Sequence, residues 1–216
     1  ELSSDRAVMC APISEGERIE EMASELLAVM PAKFALAGLS MGGIVAMEIM
    51  RRAPERVTRI ALMDTNPLPE TPQVAAAREP QIIGARSGRL LEVMRDEMKP
   101  NYLAPGPQRV DVLNLVMDMA AIMGPEVFVR QSRALQRRRD QQSTLRKCKV
   151  PALVLCGEHD LLCPVKRHIF MAELIPYAEL KVISNAGHLP TLENPDAVTG
   201  HLRNWMNQPA NPLRLT

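Results

Sequence analysis

Short apolar runs alternate with helical patterns along most of this chain, and the alternation limits the possible folds more than any other feature. Apolar runs with the length of buried strands lie at residues 33–37 (KFALA), 57–63 (VTRIALM), 150–156 (VPALVLC) and 180–184 (LKVIS), with a further one at 6–12 (RAVMCAP). Apolar residues at helical spacing lie at 19–30, 44–52, 164–174 and 195–206. Strands that are apolar on both faces and separated by helices are typical of βαβ units. The sequence therefore predicts a doubly wound α/β core with a mostly parallel sheet.

The alternation stops between residues 67 and 147. This segment shows helical patterns at 90–98, 110–123 and 126–139, broken by proline and glycine, and it contains no convincing strand. We therefore predict a core formed by residues 1–66 and 148–216, interrupted once by an all-helical insert at 67–147.

Composition and charge argue against several classes of function. The formal net charge of +1 disfavours nucleic-acid binding driven by bulk electrostatics. We find neither an apolar run long enough to cross a bilayer nor a signal-peptide pattern, and so predict no membrane partner. The four cysteines show neither a CxxC pair nor zinc-ligand spacing, which predicts no metal site and a reducing, cytoplasmic location. They are Cys10, Cys148, Cys156 and Cys163.

The sequence GLSMG at 38–42 lies where a predicted strand meets a predicted helix. A sharp turn there would hold Ser40 in a strained conformation with its hydroxyl group clear of the sheet. The backbone N–H of Met41, at the start of the helix, would point into the same space and supply an oxyanion donor. A purely structural Gly-rich turn is the alternative. The strand–turn–helix context favours a nucleophile at Ser40.

A serine hydroxyl is a poor nucleophile unless a base removes its proton. Two later strands are followed by loops that carry an acid and a histidine, in GEHD at 157–160 and NAGH at 185–188. Because loops at the carboxyl ends of parallel strands meet at one edge of a sheet, these side chains can converge on Ser40. We predict that His188 is the base and that Asp160 orients its imidazole.

Other residues are rivals for these roles. Glu158 and Asp64 are the rival acids, and Asp160 is favoured because its position in the loop and its local motif fit better. His159 lies on the acid loop and is expected to point away from the nucleophile. The remaining histidines fall within predicted helices, where a surface or packing role is the default; they are His168 and His201.

Four motifs together resemble the α/β-hydrolase fold superfamily, in its esterase and lactonase-like branch with a helical cap. They are GLSMGG (38–43), PERVTRIALMDT (54–65), VPALVLCGEHDLLCP (150–164) and NAGHLPTLENP (185–195). The resemblance implies that residues 67–147 form a cap over the active site. It also implies a Ser40–His188–Asp160 mechanism that needs no metal and no cofactor.

The N-terminal region departs from the family pattern. Leading strands are expected ahead of this region, together with a His-Gly or Pro-Gly loop that supplies the second oxyanion N–H. Only 39 residues precede Ser40, and they contain no such loop. Since a central strand without its neighbour would expose an apolar edge, we expect that the N-terminal strands are missing from this sequence.

The resulting hypothesis is a serine hydrolase that cleaves a small carboxylic ester through an acyl-enzyme. An enol-lactone hydrolase, or a carbon–carbon bond hydrolase of ring-cleavage products, would use the same three residues. A non-catalytic ligand-binding relative is the alternative from a different class. Arginines within 130–149 (Arg137, Arg138 and Arg139 among them) could clamp a substrate carboxylate, although a solvated helix face paired with nearby acids is the favoured interpretation.

Overall fold

The sheet of this computed structural model, which describes residues 2–98 and 101–209, has four parallel strands in the order β1-β2-β3-β4. Their bounds are Phe34–Leu39 (β1), Val57–Met63 (β2), Ala152–Gly157 (β3) and Ala178–Ile183 (β4). The register pairs Leu39 with Met63 and Met63 with Leu155, so the carboxyl ends of neighbouring strands are level. Loops that follow these strands therefore meet at one edge of the sheet.

Helices connect the strands and flank the sheet. Their bounds are Ile19–Val29 (α1), Met41–Arg52 (α2), Pro72–Gly84 (α3), Leu90–Val93 (α4), Arg109–Gln136 (α5), Gln142–Arg146 (α6), Val165–Leu174 (α7), Pro190–Glu193 (α8) and Pro195–Asn207 (α9). A 3₁₀ turn lies at Leu2–Ser4, and π-helical turns lie at Ala85–Arg89 and Met94–Met98.

Alternate residues of the strands pack into two apolar layers, one on each face of the sheet. In β2, Ile60 and Leu62 join the layer formed with α1 and α2, whereas Ala61 and Met63 join the layer formed with α9. This two-residue period follows from the pleat, which points successive side chains to opposite faces. Helices on both faces confirm the prediction of a doubly wound α/β core.

All described residues between β2 and β3 are helical or irregular, and part of this segment has an apolar cluster of its own. The cluster joins α3, α4 and α5 and contains Ile82, Leu90, Met94, Val116 and Val129. α3 was not expected from the sequence. It begins at an N-cap, Thr71, whose hydroxyl accepts the Val74 N–H, but its apolar face is weak and Pro80 interrupts it.

The apolar run at residues 6–12 was predicted to be a strand, and this prediction is wrong. The structure shows these residues without regular secondary structure. A strand needs a neighbour that accepts and donates its backbone hydrogen bonds, and β1 pairs only with β2 among the described residues. β1 is thus an edge strand of the described sheet, and Ala37 at its middle is exposed.

α5 has the length and apolar composition of a helix that could cross a membrane, which the sequence pattern did not suggest. Such a match is weak evidence, because it uses length and composition alone. The backbone at Gly124 is not helical, with φ of 79° and ψ of 173°. Residues 109–123 and 125–136 are therefore two consecutive helices, each shorter than the roughly 20 residues that a bilayer requires.

Candidate active site

Ser40 lies at the tip of the turn between β1 and α2. Its φ of 52° and ψ of −118° are unusual for a residue with a side chain. Ser40 N–H donates to Met63 O of β2 at 2.8 Å, which anchors the turn to the sheet. Gly38 is required here because a Cβ atom at that position would lie 2.3 Å from Gly42 O. Strain held by its surroundings in this way is concentrated at functional sites.

Met41 is the first residue of α2, so its N–H belongs to the helical turn whose donors lack intrahelical acceptors. Further along the same turn, the N–H groups of Gly43 and Ile44 donate back to Ser40 O at 3.0 and 3.3 Å. The positive end of the helix dipole therefore lies beside the serine hydroxyl. A negative oxygen that forms when the Ser40 hydroxyl attacks a carbonyl group would be stabilised from this position.

The structure brings Ser40, His188 and Asp160 together, although they follow three different strands. His188 Nε2 lies 2.8 Å from Ser40 Oγ, and His188 Nδ1 lies 2.9 Å from Asp160 Oδ2. Since an ionised carboxylate only accepts hydrogen bonds, Nδ1 carries the proton and Nε2 accepts from the serine hydroxyl. Both His188 and Asp160 are 4% exposed, so water competes little for these bonds.

Asp160 is held in place by its own loop. Its Oδ1 accepts the N–H groups of Leu162 and Cys163 at 2.8 and 2.9 Å. Burial alone would raise the pKa of Asp160, but the bond and charge of His188 and these two N–H donors outweigh burial and lower it. The carboxylate is thus ionised and oriented toward the imidazole.

The loop that carries His188 is fixed by the acid loop and by the helical segment. A Cβ atom at Gly157 would lie 2.0 Å from Gly187 O, so only glycine allows the two loops to pass. Glu193 of α8 accepts the N–H groups of Gly187 and Leu189 and so ties this loop to the C-terminal helices. Its carboxylate also accepts the N–H of Ala104, a contact that the sequence did not indicate.

Tyr102 contacts the same loop from the segment between β2 and β3. Its carbonyl accepts the His188 N–H at 2.6 Å, and its ring lies 5.9 Å from the imidazole at an angle of 42°. The helical segment therefore touches the residue that we predict to be the base. No sequence motif identified this contact, because it joins residues 86 positions apart in the chain.

Thr65 is a further contact of the nucleophile turn that sequence reasoning missed. Its hydroxyl donates to Ser40 O at 2.7 Å, and a Cβ atom at Gly43 would lie 2.6 Å from that hydroxyl. Thr65 N–H donates to Nε2 of His168, a fully buried residue of α7. Burial lowers the pKa of His168 to about 4, so the ring is neutral and accepts this bond. Only its place in the motif at 54–65 hinted at a role.

Among the described residues, the imidazole of His188 bonds to Ser40 and Asp160 and to none of the rival acids. Glu158 and His159 are exposed, and 3.8 Å separates Glu158 Oε2 from His159 Nε2. His201 is half-buried in α9. Asp64 interacts with Asp160, but the hydrogen bond of His188 Nδ1 goes to Asp160 and not to Asp64.

The arginines of residues 130–139 pair with acids, which leaves the carboxylate-clamp hypothesis without support. Their partners come from the segment before α1, from α1 itself, from the loop before α3 and from α3. Arg138 also donates to Leu68 O and is mostly buried rather than part of a solvated face. The pairs are Arg130 with Glu15, Arg133 with Glu79, Arg137 with Glu17, Arg138 with Glu70 and Arg139 with Glu20.

Among the described residues, Asp160, Cys163 and His188 are close enough to share a metal ion. The ligand atoms that a metal would use are engaged, however. Both ring nitrogens of His188 are hydrogen-bonded within the triad, and both oxygens of Asp160 accept hydrogen bonds. This group therefore fits a hydrogen-bonded relay better than a metal site.

Residues 8–200 match the family model described as the alpha/beta hydrolase family. The chain belongs to this family. The prediction of the α/β-hydrolase fold is confirmed, as is the prediction of a hydrolase enzyme at the level of the family.

Two solved structures extend the match. An esterase from Thermogutta terrifontis shares 30% identity with a TM-score of 0.83, over 90% of this chain and 74% of that one. The enol-lactonase from Burkholderia xenovorans LB400 shares 25% identity with a TM-score of 0.80, over 90% of this chain and 75% of that one. The present chain is thus shorter than both.

Two curated relatives also match over most of this chain. The pimeloyl-[acyl-carrier protein] methyl ester esterase of Vibrio parahaemolyticus is 24% identical, over 88% of this chain and 76% of its own length. The biotin biosynthesis bifunctional protein BioHC of Teredinibacter turnerae is 25% identical over 90% of this chain. The match spans only 37% of that longer protein.

Proposed function

We propose that this chain is a serine hydrolase that cleaves a small carboxylic ester through an acyl-enzyme on Ser40. The observation that carries the proposal is the continuous hydrogen-bonded relay from Ser40 Oγ through His188 to Asp160, with distances of 2.8 and 2.9 Å. An imidazole that accepts from a serine hydroxyl and donates to a buried carboxylate is the arrangement that activates a serine.

The geometry supports a two-step reaction. His188 Nε2 takes the proton of Ser40 as Oγ attacks the ester carbonyl, and the Met41 N–H stabilises the negative oxygen of the tetrahedral intermediate. The imidazolium, stabilised by Asp160, then protonates the leaving alcohol. Water activated by the same imidazole releases the acid and restores the serine. None of these steps requires a metal or a cofactor.

A lactone is a second candidate substrate. The enol-lactonase from Burkholderia xenovorans is among the solved structures of similar fold, and a lactone is an internal ester that the same attack would open. An esterase and a methyl ester esterase are among the other proteins that this chain resembles. An esterase, a methyl ester esterase and a lactonase all cleave carboxylic esters.

Residues 67–147 serve in this proposal as a cap. Two observations support the assignment. Part of the segment has its own apolar cluster, and the stretch 102–104 lies against the His188 loop through Tyr102 O and Ala104 N–H. Apolar side chains held above the serine would exclude water from the acyl-enzyme.

A reducing, cytoplasmic location agrees with the state of the cysteines. All four are free thiols, and Cys148 and Cys156 are buried in the core. Buried thiols that form no disulfide bond are typical of proteins kept in a reducing compartment.

Hydrolysis of p-nitrophenyl acetate and butyrate tests the proposal. We expect turnover by the wild type and its loss in Ser40→Ala. Ser184→Ala is the matched control, because Ser184 is an exposed serine at the same edge of the sheet. Equal rates in the wild type and Ser40→Ala would contradict the proposal. Tight binding of a carboxylic ester without turnover would instead support the non-catalytic alternative.

A further inference from the structure

Asp64 is a buried carboxyl group beside the triad that the mechanism above does not use. Its side chain is inaccessible to solvent, and its φ of 45° places the backbone in the left-handed region. Gly157 N–H donates to Oδ1 at 2.9 Å. Oδ2 is also buried, yet it meets no hydrogen-bond donor among the described residues. An ionised carboxylate in this position would leave a buried charge with one oxygen unpaired, which is costly.

Asp160 neighbours Asp64, and it raises the pKa of the Asp64 carboxyl group both through its charge and through a side-chain hydrogen bond. Two carboxylates so close cannot both ionise without strong repulsion, and such pairs hold a shared proton. Asp160 accepts hydrogen bonds from His188 Nδ1 and from two backbone N–H groups, those of Leu162 and Cys163. Because three donors favour the charged form of Asp160 and only one favours that of Asp64, the proton belongs on Asp64.

The surroundings of Asp64 agree with a neutral group. Burial is the largest effect and raises the pKa of Asp64 to about 9, with Gly157 N–H opposing it and Asp160 and Glu193 adding to it. The other titratable groups that face this carboxyl are thiols, namely Cys156 of β3 and Cys163 of the acid loop. Burial raises the pKa of both thiols.

We propose that Asp64 is a neutral carboxylic acid that donates its Oδ2–H to the Asp160 carboxylate and thereby acts as a positioning residue for the acid of the triad. This inference rests on the proposed serine-hydrolase function. A carboxylate has about four acceptor positions, and the Asp64 proton would fill the fourth on Asp160. All four acceptor positions of Asp160 are then occupied, while no second negative charge is added near His188.

Two substitutions separate a neutral donor from a charged group. Asp64→Asn keeps an oxygen that accepts the Gly157 N–H and an NH₂ group that donates to Asp160. We therefore expect its kcat/KM to stay within about threefold of wild type. Asp64→Leu has a similar volume but cannot donate, and we expect it to lose about ten- to a hundredfold in kcat, as for one hydrogen bond to a charged group.

The pH profile of kcat/KM adds a readout that a packing role would not move. Its acid limb reports protonation of the base. If Asp64 is neutral, Asp64→Asn leaves the position of this limb unchanged. If Asp64 is ionised, removing its charge destabilises the imidazolium, moves the limb to lower pH and overturns the proposal.

Two measurements do not depend on activity. The infrared difference between wild type and Asp64→Asn at neutral pH should contain the C=O band of a protonated carboxylic acid. Carboxylate bands alone would overturn the proposal.

Folded Asp64 stays protonated up to about pH 9, whereas the unfolded chain releases the proton near pH 4, so wild type loses stability as pH rises through this window. The Tm of Asp64→Asn minus that of wild type should therefore increase between about pH 5 and about pH 8.

The same carboxyl-to-amide change at Glu193 is the matched control. Glu193 accepts backbone N–H groups of Gly187, Leu189 and Ala104, so the NH₂ group of Glu193→Gln would face donors. We expect this variant to lose stability, unlike Asp64→Asn. If no variant and no wild type hydrolyses an ester, the proposed function fails, while the infrared and Tm results still decide the protonation of Asp64.

Discussion

The chemistry proposed for this chain depends on residues whose side chains meet although their backbones belong to separate loops. Ser40, Asp64 and Asn185 all have positive φ values of 45° to 57°, and each follows a strand at the same edge of the sheet. Such backbone conformations turn the chain sharply, so that the next residues project over the ends of the strands. Strained backbone at this edge therefore includes Ser40 itself and the start of the loop that carries His188.

Asp160→Asn tests the role of the acid directly. An amide can donate to Nδ1 and so favours the tautomer of His188 that cannot accept the serine proton. We expect kcat to fall on the order of 10⁴-fold with little change in KM. Glu158→Gln is the control, because Glu158 is the exposed rival two residues away, and it should retain wild-type kinetics. The reverse ranking would assign the acid to Glu158.

Gly157→Ala tests the close passage of the acid and His loops. The added Cβ atom would lie 2.0 Å from Gly187 O, so one loop must move and the His188–Asp160 bond with it. We expect a lower Tm and a reduced kcat. Gly200→Ala in α9 is the matched control, since its Cβ atom meets nothing within 4 Å and should stabilise the protein by about 0.5 kcal/mol. Equal effects of the two substitutions on Tm would rule out the steric argument.

At the level of elements, α2 is attached to the segment before α6 through a buried carboxylate. Glu48 is inaccessible to solvent and bonds to Arg51, Arg52 and Gln141. Burial alone would raise the pKa of Glu48, but the hydrogen bonds from these three residues outweigh it and lower the pKa to about 2. The helix that begins at the nucleophile is thereby fixed at its far end.

Glu48 should make stability depend on pH. Its folded pKa lies below the ordinary value of about 4.3, so its contribution is fully present above that pH and is lost as the pH falls toward 2. Glu48→Gln cannot titrate. In chemical denaturation, we expect wild type to be more stable than Glu48→Gln at neutral pH and to lose this advantage below about pH 4. Glu55→Gln, at an exposed position, should show no such trend.

The core elements could be predicted because their physics is local. β1 to β4 correspond to apolar runs of strand length, and α1, α7 and α9 bury residues at helical spacing. Each of these elements can therefore be predicted from its own sequence. The strand predicted at residues 6–12 failed because a strand requires a partner, which a local pattern does not report. α3 was missed because its stability comes from the cluster around Ile82 and not from an amphipathic face.

The candidate site divides in the same way. Ser40, Asp160 and His188 were found from motifs in chain order after successive strands, and the structure places them in contact. Tyr102 and Thr65 could not be found, because their contacts depend on how the helical segment and the strand loops pack in three dimensions.

Across the whole molecule, buried ion pairs connect the helical segment at its two ends. Glu70, just before α3, is 1% exposed and pairs with Arg78 of α3 and with Arg138, which follows α5. Removing one member of a buried pair leaves uncompensated charge inside the protein. This carboxylate therefore holds the two ends of the helical segment together.

Glu70→Ala is expected to lower the free energy of unfolding by about 3 kcal/mol, because two poorly solvated guanidinium groups lose their partner. Glu17→Ala is the control, since the Glu17–Arg137 pair is exposed and should contribute less than about 1 kcal/mol. Urea denaturation measures both values. Similar losses in the two variants would show that burial of the Glu70 pair has no special importance.

Covalent labelling of the nucleophile tests the central claim most directly. A fluorophosphonate should react with the folded wild type, and peptide mass spectrometry should find a single adduct on the peptide that contains Ser40. The adduct should be absent from Ser40→Ala and much slower to form in Asp160→Asn. A folded wild type that takes up no label, or that carries it on another residue while Ser40 stays unmodified, would contradict the assignment of Ser40 as the nucleophile.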